Sequence, residues 1–186
     1  MAVTRKTVTV LFCDVAESTS LAERIDPETT RRVMLRYFDE MRPILERHGG
    51  TVEKFIGDAV LGVFGVPVLH EDDALRAVRA AEEMRSALER LNDELEERWG
   101  VRLQARMGIN TGEVVVGDPT STQTIGTGDT FNVAARLQQA ARSGEILLGR
   151  YERRARDDLL RLGQRLSERP RQHRPAPCQP CRPASP

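Results

Sequence analysis

Two long stretches of helical periodicity, separated and flanked by short runs of β-branched residues, limit this chain to a mixed architecture. After Asp26-Pro27-Glu28, apolar residues recur at Val33, Met34, Tyr37, Phe38, Met41, Ile44 and Leu45 until Gly49-Gly50 stops the run. That spacing covers one face of a helix, with Asp26 suited to the cap and Pro27 to the first helical position. From Glu71 to about Trp99 the same periodicity returns in Ala74, Leu75, Ala77, Val78, Ala81, Met84, Leu88, Leu91 and Leu95, and charged residues fill the other face. Ahead of these helices, residues Thr7 to Asp14 read as a buried strand ending at Asp14, and Ala16 to Ser20 can cap a following helix. Thr51 to Phe55 and Ala59 to Phe64 read as a hairpin whose turn, Ile56-Gly57-Asp58, displays a second aspartate.

Downstream, Arg102 to Ile109 alternates like a strand, with Gly112 to Val116 expected as its partner and Gly117 to Ser121 as a turn. Asp129 or Thr130 can cap a helix carrying Val133, Leu137 and Ala140-Ala141, which Gly144 ends before a last strand over Glu145 to Leu148. The expected order is β, α, β, β, α, β, β, α, β. Such an order folds as an α+β sandwich, a mixed sheet with helices packed on one face.

With 186 residues and 39% hydrophobic content, one compact domain over residues 1–149 is expected, with an appendage over 150–186. The formal net charge is zero, yet from Arg150 onward there are ten arginines and four acidic residues, so the preceding part carries about six net negative charges. Six of the ten prolines also lie in that appendage, and periodic apolar residues nearly vanish after Leu162. A short helix followed by disorder is expected there. Its arginines have no aromatic stacking residue among them after Tyr151, so nucleic-acid binding is not expected. Cys13 lies in an apolar run and reads as a buried small hydrophobe, while Cys178 and Cys181 form a lone C-x-x-C, too few ligands for zinc. No run of about eighteen apolar residues exists, so no membrane span is expected and the location read from the sequence is cytoplasmic.

Four segments carry the chemistry: Val10-Leu11-Phe12-Cys13-Asp14-Val15, Glu53-Lys54-Phe55-Ile56-Gly57-Asp58, Arg106-Met107-Gly108-Ile109-Asn110-Thr111-Gly112, and Gly128-Asp129-Thr130-Phe131-Asn132-Val133-Ala134-Ala135-Arg136. Two aspartates, each ending an apolar run at a turn, suit a two-metal carboxylate pair or ordinary turn and cap positions. In this order the segments resemble the catalytic domain of class III adenylate and guanylate cyclases, over about residues 5 to 149. The resemblance implies the ferredoxin-like, palm-type fold of that family. It also implies two divalent ions, Mg²⁺ or Mn²⁺, at Asp14, Val15 and Asp58, and substrate contacts at Lys54, Ile125 and Thr127, while the free amides of the helix capped around Ser18 and Thr19 offer a seat for phosphate. Lys54 matches the lysine that reads adenine, which favours ATP over GTP. Asn132 and Arg136 match the ribose-orienting asparagine and the transition-state arginine, and, being four apart, they share one helix face. In the family the two halves of a site come from different subunits, so a homodimer with shared sites is implied.

Two features depart from the family pattern. Ile125 stands where a base-reading Asp or hydroxyl residue is usual, and isoleucine cannot accept a hydrogen bond from adenine; Thr124 or Thr127 could substitute. Nothing after Gly149 resembles the family's Lys-Gly segment, and the expectation is a truncation or reading-frame change near Arg150. Two functions therefore stand side by side: a cyclase converting ATP to cyclic AMP and pyrophosphate, or a catalytically impaired cyclase-homology module that binds nucleotide or a partner as a regulatory input.

Overall fold

The computed structural model describes residues 4–116 and 129–157. The expectations placed on Ile125 and Thr127, on the loop around them, and on Cys178 and Cys181 in the tail lie outside the described residues. Nine elements follow one another: β1 (Thr4–Val15), α1 (Ser18–Arg24), α2 (Pro27–Arg47), β2 (Thr51–Ile56), β3 (Ala59–Phe64), α3 (Asp73–Trp99), β4 (Ala105–Val116), α4 (Asp129–Ala140) and β5 (Ile146–Leu148). Residues 150–157 are helical as well. The sheet order is β2-β3-β1-β4-β5, antiparallel except for the parallel pair of β4 and β5. This is the mixed α+β sheet expected from the sequence. Among the described residues no helix is long and apolar enough to cross a membrane.

The local signals work through identifiable bonds. Asp26 caps α2 by accepting from the Thr29 amide at 2.9 Å, with Pro27 at the first position. The turn after α3 is clamped by Asn92, which is buried, accepts from the Leu103 amide at 2.7 Å and donates to the Leu103 carbonyl at 2.9 Å. Packing then divides the core between the two faces of the sheet. Leu11, Cys13, Val15, Val60, Phe64, Met107 and Ile109 meet the apolar faces of α2 and α3. Cys13 is fully buried there, its Sγ 3.1 Å from the Tyr37 hydroxyl, and burial pushes its thiol up to about 12. Each fully buried large side chain in such a core contributes roughly 1.5–3 kcal/mol of transfer free energy.

Three sequence expectations need correction. First, helices cover both faces of the sheet: α2 and α3 lie on one, whereas α4 places Ala134 and Phe131 against Val8, Val10, Leu61, Val63 and Val114 on the other. Second, Arg102 to Ile109 and Gly112 to Val116 are not partners. Ala105–Val116 is one strand that pairs with β1 without a break from Val15↔Ala105 to Thr4↔Val116. The glycine at 112 marks the close seat of the Thr130 side chain, whose Oγ1 would stand 2.6 Å from an added Cβ, and not a turn. Third, Ala16 to Ser20 supply no side-chain cap. The Ala16 amide bonds the Gln104 carbonyl at 2.7 Å and extends the β1–β4 pairing, so the chain turns sharply at Glu17 (φ 58°), and Ser18 already stands inside α1.

Candidate active site

Asp14 is the last residue but one of β1, and the pleat turns it towards the same sheet face as Val10 and Phe12, the face covered by α4. The register sets it opposite Arg106 of β4 and opposite Ala59, the residue after Asp58. Arg106 donates from Nη2 to Asp14 Oδ2 at 2.7 Å, and Gln138 of α4 donates from Nε2 to the same oxygen at 2.9 Å. The ion pair is partly withdrawn from water, with 18% of the Asp14 side chain and 31% of the Arg106 side chain exposed. Arg106 Nε is buried and has no partner among the described residues.

Asp58 reaches this position from the β2–β3 turn, where Gly57 at φ 63° makes a reversal that side chains resist. It acts on Asp14 through its charge and as a hydrogen-bonding neighbour. Burial pushes the Asp14 carboxyl up from its ordinary value, the Arg106 bond opposes the push, and the Asp58 charge adds to it. Two carboxylates set against each other in this way repel unless a proton or a cation lies between them.

The other residues expected at the site divide into two groups. Lys54 is exposed on β2, paired in register with Leu61 just past a bulge, and makes no ion pair among the described residues. Val15 is buried by its side chain, 2% exposed, so only its main chain can offer an oxygen. Ser18 is half-buried in the first turn of α1, and Thr19 follows it in the same helix. Asn132 and Arg136 lie on the exposed side of α4, and neither makes a hydrogen bond or ion pair with Asp14 or Asp58. Opposite them, Thr130, Ala134 and Gln138 form the buried stripe of the helix. One chain thus brings the two carboxylates together and leaves the asparagine and arginine facing outward.

Arg106 and Gln138 are contacts that the sequence reading did not assign. The cross-strand signal for Arg106 depends on knowing the β1–β4 register. Gln138 was obscured because Val133 and Leu137 mark a neighbouring stripe, whereas the helix turns its smaller and polar residues inward.

The donor set fits a divalent ion of the oxygen-seeking kind. Asp14 and Asp58 are hard ligands whose mutual repulsion a cation would relieve, and Mg²⁺ completes its shell with waters and phosphate oxygens instead of a full protein cage. No cluster of three or more His, Cys, Asp or Glu residues suited to a metal occurs among the described residues. That composition leaves waters and phosphate oxygens to complete the ion's shell and differs from the closed ligand set of a structural metal.

Comparison with known proteins agrees with this architecture. Residues 2–164 match the adenylate and guanylate cyclase catalytic domain. The adenylyl cyclase CyaB from P. aeruginosa is 32% identical with a TM-score of 0.79, covering 86% of this chain and 84% of that one. For the guanylyl cyclase Cya2 the values are 35% and 0.76, over 83% of this chain and 80% of that one. Adenylate cyclase 1 of Rhizobium meliloti (strain 1021) is 32% identical over 137 residues, which are 72% of this chain and 21% of the relative. The chain therefore spans about a fifth of that relative's length. Its mixed sheet, the order of its motifs and these matches together place the chain in the class III adenylate/guanylate cyclase catalytic-domain family.

Proposed function

We propose that the chain is a nucleotidyl cyclase that converts ATP to cyclic AMP and pyrophosphate at a site shared between two copies. The observation that carries this reading is the division of the site residues: Asp14 and Asp58 converge, while Asn132 and Arg136 face outward from α4. In the reaction the ribose 3′ hydroxyl gives up its proton to water as its oxygen bonds to the α-phosphorus in line, the bond from that phosphorus to the bridging oxygen breaks, and pyrophosphate leaves. Asp14 and Asp58, with the Val15 main chain, would hold Mg²⁺ or Mn²⁺, which when bound lowers the pKa of the attacking hydroxyl and screens the triphosphate. In this reading Lys54 contacts the adenine ring, and its exposure on β2 supports that role. From the partner copy, Asn132 orients the ribose and Arg136 donates to the charge that develops as the P–O bond breaks. A cytoplasmic location belongs to this reading, because ATP and Mg²⁺ are supplied there.

The preference for ATP rests on Lys54 and on the adenylate cyclases among the relatives. The regulatory-module reading draws on Ile125, which offers adenine no acceptor. Purified protein with Mn²⁺ and ATP or GTP decides between them. Cyclic AMP above an Asp58→Ala control supports the cyclase, whereas metal-dependent ATP binding without product supports the module.

A further inference from the structure

Helix α4 is fastened to the sheet at both ends. At its start Thr130 donates from Oγ1 to the Glu113 carbonyl at 2.9 Å and accepts at its own carbonyl from Asn110 Nδ2 at 3.3 Å. Midway, Gly108 lets the helix backbone rest on the strand, since a Cβ there would stand 2.3 Å from both the Ala134 carbonyl oxygen and the Gln138 amide nitrogen. At its far end Gln138, only 6% exposed, spends its side-chain amide on Asp14 Oδ2.

We propose that Gln138 is a positioning residue for Asp14, and that through it the carboxylate half of each protomer is tied to the helix presenting Asn132 and Arg136. This rests on the metal-dependent cyclase reading. A carboxylate oxygen has two lone-pair directions. Arg106 and Gln138 both donate to Oδ2, so that oxygen is filled and Oδ1 is left for Asp58 and a cation. Arg106 alone fixes one bond direction; the second donor, approaching from a different element, stops the carboxylate from rotating about it. Hydrogen bonds to a ligating carboxylate commonly set metal affinity in this manner. Arg136 lies two positions before Gln138, about 200° around the same helix, so a movement of the outward face is transmitted to Asp14.

The test is Mn²⁺ binding to the full chain without nucleotide, followed by electron paramagnetic resonance, in wild type, Gln138→Met, Asp14→Ala and the double variant. Gln138→Met keeps the side-chain length and removes the donor. It is expected to weaken Mn²⁺ binding about tenfold, with the thermal unfolding midpoint of the metal-free protein close to that of wild type. In the Asp14→Ala background the same change is expected to add no further loss, because the effect passes through Asp14. Gln138→Ala, read in the same way, guards against a packing fault of the methionine. Unchanged affinity in folded Gln138 variants, or an equal loss with and without Asp14, overturns the proposal and leaves the metal reading standing. Wild-type protein with no Mn²⁺ binding that depends on Asp58 overturns both.

Discussion

Glu152 is a carboxyl with no exposed surface, held in the helical residues that follow β5. Its Oε1 accepts from the Thr111 hydroxyl, which itself lies 2.7 Å from the Thr9 hydroxyl, and its Oε2 is buried with no partner among the described residues. Burial drives the carboxyl up from its ordinary value, against the smaller downward pull of the Thr111 bond. The folded state therefore binds the proton more tightly than the unfolded chain does. Glu152 contributes its stability fully below the unfolded value of about 4.3 and loses it as pH rises through the folded value. Glu152→Gln keeps the shape and cannot ionise. The stability difference between variant and wild type should shift in favour of the variant from pH 4.5 to pH 8, read as thermal midpoints across that range; a difference independent of pH would contradict it. Nothing in the sequence marked Glu152, because its burial follows from tertiary packing beside the short last strand.

At the scale of elements, the contact of α4 with β4 leaves no room for a side chain at Gly108. Gly108→Ala would set a methyl group against helix backbone, which cannot step aside as a flexible side chain can. The substitution is expected to destabilise by about 1–3 kcal/mol, measured by urea unfolding, and to loosen Gln138 from Asp14; a neutral result would mean that α4 does not seat so closely. The strength of local signals explains which elements could be read. Asp26-Pro27, the Gly49-Gly50 stop and the Gly57-Asp58 turn act within a few residues, and the structure places the α2 cap, the end of that helix and the hairpin where they point. The continuity of β4 was hidden because Gly112 looks like punctuation, while its reason for being glycine is Thr130, eighteen positions later and on another element.

Across the whole molecule, the legible parts of the candidate site were those carried by short motifs: the two aspartates at strand ends and the Asn132 and Arg136 pair on one helix face. The bonds joining them were not legible. Arg106 and Gln138 reach Asp14 across 92 and 124 positions of sequence, and each depends on register or helix rotation set by the assembled core. The side on which α4 packs was hidden for the same reason, since helical periodicity gives an apolar face but not the sheet face that receives it. With α4 opposite α2 and α3, its exposed Asn132 and Arg136 stand on the molecule's outer surface, available to a second copy. The most direct measurement is cyclic AMP formation from ATP with Mn²⁺ by Asp14→Ala and Arg136→Ala proteins, assayed apart and then mixed. Both variants silent alone and activity recovered on mixing is the expected result, because a mixed dimer keeps one site with an intact carboxylate half and an intact helix. Activity in either variant alone at the wild-type level, or no recovery on mixing while wild type is active, would contradict a site built from two chains.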